Sequence, residues 1–296
     1  MAQMPRDIEV VVQAVRAETS DIKSFVLVPR AGDGFPTFLP GAHIDVEPLP
    51  GLIRQYSLVN DPAERGRYVI GVKREAAGRG GSSAMHTAVR EGTVMKISAP
   101  KNNFTLHDTR GRRLLLAGGI GVTPLLSMAT VLQRQEAPFE MHYFARSGND
   151  LAFGDLIAKG QWKGKVVFHL GLIPPALNEV LADILANPSA EDQIYMCGPQ
   201  PFMEAIRTTA QQSGWPDTDV YSELFSAPPP SIAMEGADFI VRLNSSGTDY
   251  RVPSGKSIIE VLREAGIEIE TSCEQGICGT CVTRCLEGEP DHNDFS

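Results

Sequence analysis

The 296-residue sequence has no run of about 18 apolar residues, the length a helix needs to cross a bilayer, and so predicts no membrane span. Its opening Met-Ala-Gln-Met-Pro-Arg-Asp lacks an apolar stretch, so no secretory signal is expected. Basic residues are in short supply: 27 Lys and Arg face 36 Asp and Glu, for a net charge of −9. Residues 238–296 hold eleven acids and five bases, and so six of those nine negative charges. A phosphate backbone would be repelled, which argues against nucleic acid as a partner. An acidic end module suits a partner with a basic docking patch, or is simply a solvated face. Cysteine is sparse too. Of the five, four fall between 273 and 285 and Cys197 stands alone. That clustering does not look like a secreted disulfide framework; it points to a metal or cluster site in a reducing, cytoplasmic compartment. His-Glu-x-x-His, a nucleophile elbow, a kinase signature and internal repeats are all missing. Ser254-Gly255-Lys256-Ser257 looks like the end of a P-loop, but Tyr250 stands where that motif needs glycine.

What is present is enough apolar residue (42%) to bury cores in two or three domains. Segments 8–15, 23–28, 42–46, 55–59, 68–73 and 93–99 read as strands between Gly/Pro/Asp turns, with one helix at 84–90. They predict a small antiparallel β-barrel or sandwich. From residue 107 the rhythm changes. Strands at 114–117, 140–145, 166–171 and 193–197 alternate with helices at 124–135, 153–159, 179–185 and 201–213, which predicts a parallel sheet covered on both faces. Pro228-Pro229-Pro230 reads as an extended linker. Beyond it come strands at 238–244 and 248–252, a helix at 258–265, the cysteine loop and a strand at 282–286. The expected domains are therefore 1–106, 107–227, a linker 228–237, and 238–296.

Cys273-Glu-Gln-Gly-Ile-Cys278-Gly-Thr-Cys281 has the C-x4-C-x2-C spacing of plant-type [2Fe–2S] ligands, which also requires a fourth cysteine well downstream. Soft anionic thiolates suit iron–sulfide clusters, and Gly276 and Gly279 let backbone N–H groups approach the sulfurs. A zinc site, a Cys-x-x-Cys redox pair and plain buried cysteines are the competing readings. Cys285, read on a strand, lies about 13 Å along the chain from Cys281 and is expected to be a buried structural cysteine. No cysteine follows it, so the fourth ligand is expected to be absent from the chain and the domain incomplete; His292 is a conceivable but solvated substitute. Two glycine turns point to nucleotides. Gly78-Arg79-Gly80-Gly81-Ser82-Ser83 opens the first helix, with Arg54-Gln55-Tyr56-Ser57 upstream on a strand; such a turn binds anions, and Arg54 adds a charge-assisted contact. Each piece alone is ordinary. Gly118-Gly119-Ile120-Gly121-Val122-Thr123-Pro124 follows an apolar strand, with Thr123 as expected N-cap and Pro124 at the first helical position. Cys197-Gly198-Pro199 makes a similar rim; its alternative is a core cysteine before a breaker pair.

Taken in order, Arg-x-Tyr-Ser, Gly-Gly-Ile-Gly-Val-Thr-Pro, Cys-Gly-Pro and the cysteine loop resemble the phthalate dioxygenase reductase family over essentially the whole chain. The resemblance implies a multidomain protein: an antiparallel β-barrel flavin domain, an α/β parallel-sheet NAD domain of the ferredoxin-reductase type, and a C-terminal β-grasp [2Fe–2S] ferredoxin domain. It implies electron flow from NADH through FMN and the cluster to a separate Rieske-type terminal oxygenase. It assigns Arg54, Gln55, Tyr56, Ser57, Val72, Lys73, Gly80, Gly81, Ser82 and Phe225 to FMN. Gly119, Gly121, Thr123, Arg146, Cys197, Gly198 and Pro199 go to NAD, with Thr123 and Gly121 lining the nicotinamide cleft. Ser57 and Cys197 become catalytic, and Cys273, Cys278 and Cys281 cluster ligands. For Phe225 an ordinary core position is an equal alternative. A cytochrome P450 acceptor, a free-standing flavin reductase and a non-enzymatic redox sensor remain as other readings.

Overall fold

The computed structural model describes residues 8–32, 34–159, 162, 165–225, 238–269, 271–273, 276–277 and 279–290. The expected linker 228–237, Cys278 and His292 lie outside them. The chain divides into two compact units, Met1–Leu224 and Phe225–Ser296.

In the first unit β1 (Ile8–Ala17), β2 (Ile22–Pro29), β3 (His43–Leu49), β4 (Leu52–Ser57), β5 (Tyr68–Lys73) and β6 (Val94–Ile97) form an antiparallel sheet in the order β4-β3-β6-β1-β2-β5. Leu58, just past β4, bridges to Ile70 of β5 and brings the two ends into a near-closed barrel. Strict alternation builds it: Val10 and Val12, Phe25 and Leu27, Ile44 and Val46 all point into one core. The helix α1 (Gly81–Thr87) starts three residues ahead of the expected 84, because Gly80 at φ 85 makes the left-handed turn that launches it.

The parallel sheet follows, β7 (Arg113–Gly118), β8 (Phe139–Ala145), β9 (Val166–Leu170), β10 (Gln193–Cys197) and β11 (Val220–Glu223), in the order β11-β10-β7-β8-β9. The sequence pattern predicts no strand at β11; its half-buried Val-Tyr-Ser-Glu has too little apolar periodicity to declare itself. Leu115, Ala117, Tyr143, Tyr195 and Cys197 pack on one face with α2 (Val122–Arg134), while α3 (Gly154–Lys159) follows β8. Leu114, Leu116, Phe144, Ile194 and Met196 pack on the other face with α4 (Ala176–Leu185) and α5 (Gln200–Gln212). Among the described residues, the polar ties that join barrel to sheet include three away from the strand ends. Arg134 Nη1 reaches both oxygens of Asp61 at 2.6 and 2.8 Å. Gly41 N donates to Ser127 Oγ at 3.0 Å. Glu18 accepts from Phe153 N at 3.0 Å and from Ser24 Oγ at 2.6 Å.

The second unit holds the hairpin β12 (Phe239–Leu243) and β13 (Thr248–Val252) and the helix α6 (Ile258–Glu264). The P-loop-like run serves the start of that helix. Ser257 and Glu260 form a capping box, and Lys256 Nζ donates to both Glu264 oxygens at 2.7 Å. The expected strand at 282–286 does not form among the described residues. Val282 and Leu286 are exposed, and two apolar side chains in five residues give a strand little to bury. Cys285 accordingly is exposed rather than buried, its Sγ donating to the Glu287 carbonyl at 3.2 Å. No helix among the described residues is long and apolar enough to cross a membrane.

Candidate active site between barrel and parallel sheet

The end of β4 meets the C-terminal edge of the parallel sheet. Ser57 is the last residue of β4, and its Oγ donates to Glu223 Oε2 at 3.2 Å. Glu223 ends β11, directly beside Cys197, which ends β10. Both strands run parallel, so both side chains reach the edge where such sheets bind ligands. Burial pushes the Glu223 carboxyl up to about 8, with the Ser57 hydrogen bond pulling the other way. Burial, and then the neighbouring Glu223, raises the Cys197 thiol well above its ordinary value, so the sulfur stays protonated and uncharged. His43, paired with Ser57 across β3 and β4, places Nδ1 3.9 Å from Glu223 Oε1. Glu223 and His43 are not among the residues that the sequence motifs single out. The signal available for Glu223 is an acid at the end of a parallel strand, two residues before Phe225.

Glycines shape the rim. A Cβ on Gly121 would lie 2.1 Å from the Cys197 carbonyl oxygen and 2.7 Å from Gly198 N, so only glycine lets the two turns touch. Gly118 and Gly198 are similarly closed by the Phe202 ring, at 2.8 and 2.9 Å from an added Cβ. Gly119, at φ 54, begins a 3₁₀ turn that runs through Gly121, and Pro199 precedes α5. Thr123 is not the N-cap. The 3₁₀ turn moves the helix start to Val122, and Gly121 takes the cap position. Thr123 is buried; its hydroxyl donates to the Ile120 carbonyl at 2.9 Å and its methyl fills the space above Gly71. Thr123 therefore braces the turn from behind. Arg146 is solvent-facing and pairs with Asp150 at 3.2 Å, which also accepts from Ser147 at 2.7 Å.

On the barrel, Arg54 packs its stem against Gly81, where a Cβ would sit 2.3 Å from Arg54 Cγ, and Nη2 donates to the Arg79 carbonyl at 2.8 Å. Ser82 Oγ accepts from Glu75 N at 3.0 Å. Tyr56 faces the barrel core, opposite Ser57 as alternation requires; its hydroxyl is buried and has no hydrogen-bond partner among the described residues. An orphaned phenol beside a glycine-and-arginine cradle fits a bound polar aromatic group such as a flavin. Val72 points into the barrel core and its carbonyl contacts His86 Nε2 at 2.8 Å, while Lys73 pairs with Glu75 at 2.6 Å. Gln55 donates to Asp45 Oδ1 at 3.1 Å. In the second unit Phe225 is 44% exposed, which removes the core alternative. Cys273 is buried and Cys281 partly so, and Gly276 and Gly279 both have φ 69, the left-handed turns a tight cluster loop uses. Cys278 lies outside the described residues, among which no three metal-ligating side chains converge.

Residues 241–296 match the 2Fe-2S iron-sulfur cluster binding domain. Joined to a barrel and a glycine-rimmed parallel sheet, that module defines an oxidoreductase carrying its own ferredoxin. The chain is 42% identical over 288 residues to a vanillate O-demethylase oxidoreductase of Pseudomonas sp. (strain HR199 / DSM 7063), covering 97% of this chain and 90% of the relative. It superimposes on the solved structure of phthalate dioxygenase reductase, described as a modular structure for electron transfer from pyridine nucleotides to [2Fe–2S], with a TM-score of 0.78 and 36% identity. That match covers 98% of this chain and 89% of the other. An intact type IV self-sufficient cytochrome P450 monooxygenase gives a TM-score of 0.85 at 31% identity, over 98% of this chain and 37% of that one. The chain belongs to the phthalate dioxygenase reductase family.

Proposed function

We propose that this protein is the reductase component of a Rieske-type aromatic oxygenase or O-demethylase system, taking electrons from NADH through FMN and a [2Fe–2S] cluster to a separate terminal oxygenase. The observation that carries the reading is the Ser57–Glu223–Cys197 group at the strand ends, with Ser57 and Cys197 buried. In this reading residues 1–106 hold FMN, 107–227 the nicotinamide donor, 228–237 link, and 238–296 hold the cluster through Cys273, Cys278 and Cys281. FMN held there would supply the exchange between a two-electron donor and a one-electron cluster. Arg54 and the Gly80-Gly81-Ser82 turn would hold the terminal phosphate, and Tyr56, the backbone of Gln55, Val72 and Lys73, and Phe225 would line the ring system. Gly119, Gly121, Gly198 and Pro199 admit the donor. Ser57 and Glu223 hold a proton between Oγ and Oε2, and the neutral Cys197 thiol adds an uncharged wall.

An anaerobic NADH titration of the purified protein, followed by visible absorbance, is expected to bleach a flavin; absence of any NADH-dependent change overturns the reading. Heat-released flavin is expected to have the mass of FMN, because one arginine beside one short glycine turn suits a single terminal phosphate. Recovery of FAD alone refutes that choice. NADH is expected to exceed NADPH in kcat/KM by about tenfold or more, since Asp150 occupies Arg146 and would repel a 2′-phosphate. An equal or reversed ratio in initial-rate measurements contradicts this. A second acceptor, a cytochrome P450, is favoured by the match to part of the self-sufficient cytochrome P450 monooxygenase. Comparing electron delivery to a purified Rieske oxygenase and to a P450 separates the two.

A further inference from the structure

We propose that His43 is a positioning residue that keeps the proton of Glu223 on Oε2, the oxygen facing Ser57. The proposal rests on the reading of Glu223 as the site's proton-holding group. Nearer the surface, Lys101 Nζ donates to Asp45 Oδ2 at 2.7 Å, so the Asp45 carboxyl serves as an acceptor paired with a cation. Gln55 must then turn its amide nitrogen, not its oxygen, towards Asp45 Oδ1 at 3.1 Å. The same nitrogen lies 3.2 Å from His43 Nε2. An amide nitrogen only donates, so Nε2 carries the lone pair and the ring proton sits on Nδ1. Nδ1 stands 3.9 Å from Glu223 Oε1, close enough for its N–H dipole to act, though longer than a hydrogen bond.

With an N–H on that side, a protonated Glu223 places its proton on the other oxygen and donates it to Ser57 Oγ, 3.2 Å away; the same hydroxyl donates to Oε2 when the carboxylate is ionised. The backbone holds this order rigidly. His43 is bridged to Ser57 on one side and to Lys101 on the other, so the three side chains stand on one face of neighbouring strands. Asp45 follows two residues on from His43, and Gln55 sits opposite it on β4, on that same face. Among the described residues, the groups facing Glu223 are Ser57 from β4, His43 from β3 and Cys197 from β10, with the Asp45–Lys101 pair behind His43.

Two measurements on the full-length protein test this. In unmodified protein, nitrogen NMR of the His43 ring is expected to show the Nδ1–H tautomer at neutral pH; the Nε2–H tautomer overturns the proposal. The Glu223 carboxyl can be followed by its infrared carbonyl band, assigned by its loss in Glu223→Gln. His43→Leu is expected to move its titration upward by about one pH unit, and His43→Asn, which keeps a donor, to restore most of it. An unchanged midpoint in His43→Leu, or a failure of Asn to restore it, overturns the proposal. So does a pH-dependent stability change of equal size when His43→Leu is placed in the Glu223→Gln background. If His43→Leu does not fold, the tautomer decides alone. Unchanged electron output in Glu223→Gln, with the Nδ1–H tautomer present, refutes the functional reading and leaves the proton assignment standing.

Discussion

Glu223→Gln is expected to remove most of the pH dependence of folding stability between about pH 5 and pH 8. In the folded protein the carboxyl titrates at about 8, against an ordinary value of 4.5. Between those values the folded state binds a proton that the unfolded chain has lost. Stability is therefore fully present below the ordinary value and falls as pH rises through the folded one. The loss is on the order of 3–5 kcal/mol, since a pKa difference of one between folded and unfolded chain is worth about 1.4 kcal/mol. Glutamine keeps the neutral shape and an acceptor for Ser57 but has nothing to ionise. Urea unfolding midpoints at pH 5, 6, 7 and 8 should decline in the wild type and stay level in the variant; parallel declines would show that another group titrates there. Electron output from NADH to a one-electron acceptor should also fall, by about 100-fold, the usual contribution of a positioned proton-transfer group.

Gly121→Ala is the substitution expected to do most damage at the rim. Its Cβ would sit 2.1 Å from one backbone atom and 2.4 Å from the next, both of Cys197, and backbone at a sheet edge has no rotamer to yield. A loss of about 3 kcal/mol in folding stability is expected, together with most NADH-driven reduction. Gly119→Ala is the control. It has a left-handed φ of 54 but open space around its Cβ position, so only the backbone penalty of about 1–2 kcal/mol applies. Thermal unfolding of the pair, with stopped-flow reduction by NADH, measures both. Equal effects from the two substitutions would show that the close approach to Cys197 is not what glycine serves at 121.

Much of this architecture is legible in the sequence because burial on a strand has a period of two. Val10 and Val12 announce their strand by that alternation, Leu114 through Ala117 theirs by an unbroken apolar run buried on both faces, and the glycine turns mark where those strands end. What stays hidden depends on contacts between distant segments. Glu223 reads as an ordinary acid until folding buries it against Ser57, 166 residues away. Thr123 has the chemistry of a cap, yet the 3₁₀ turn before it shifts the helix by two residues. Val282 and Leu286 supply a strand-like alternation with no apolar surface to cover it, so Cys285 comes to lie in solvent.

The ties at Arg134–Asp61, Gly41–Ser127 and Glu18–Phe153 bear on how a donor molecule gets in and out. They pin the barrel to the sheet at three separated points, one of them holding Phe153 in a left-handed conformation at φ 58. A pair of lobes fastened in this way cannot open like a clamshell without breaking polar contacts at every pin. Traffic through the cleft is left to side chains at the mouth, which rearrange in nanoseconds rather than milliseconds. A slow mechanical stroke of the two lobes is therefore not expected to limit turnover.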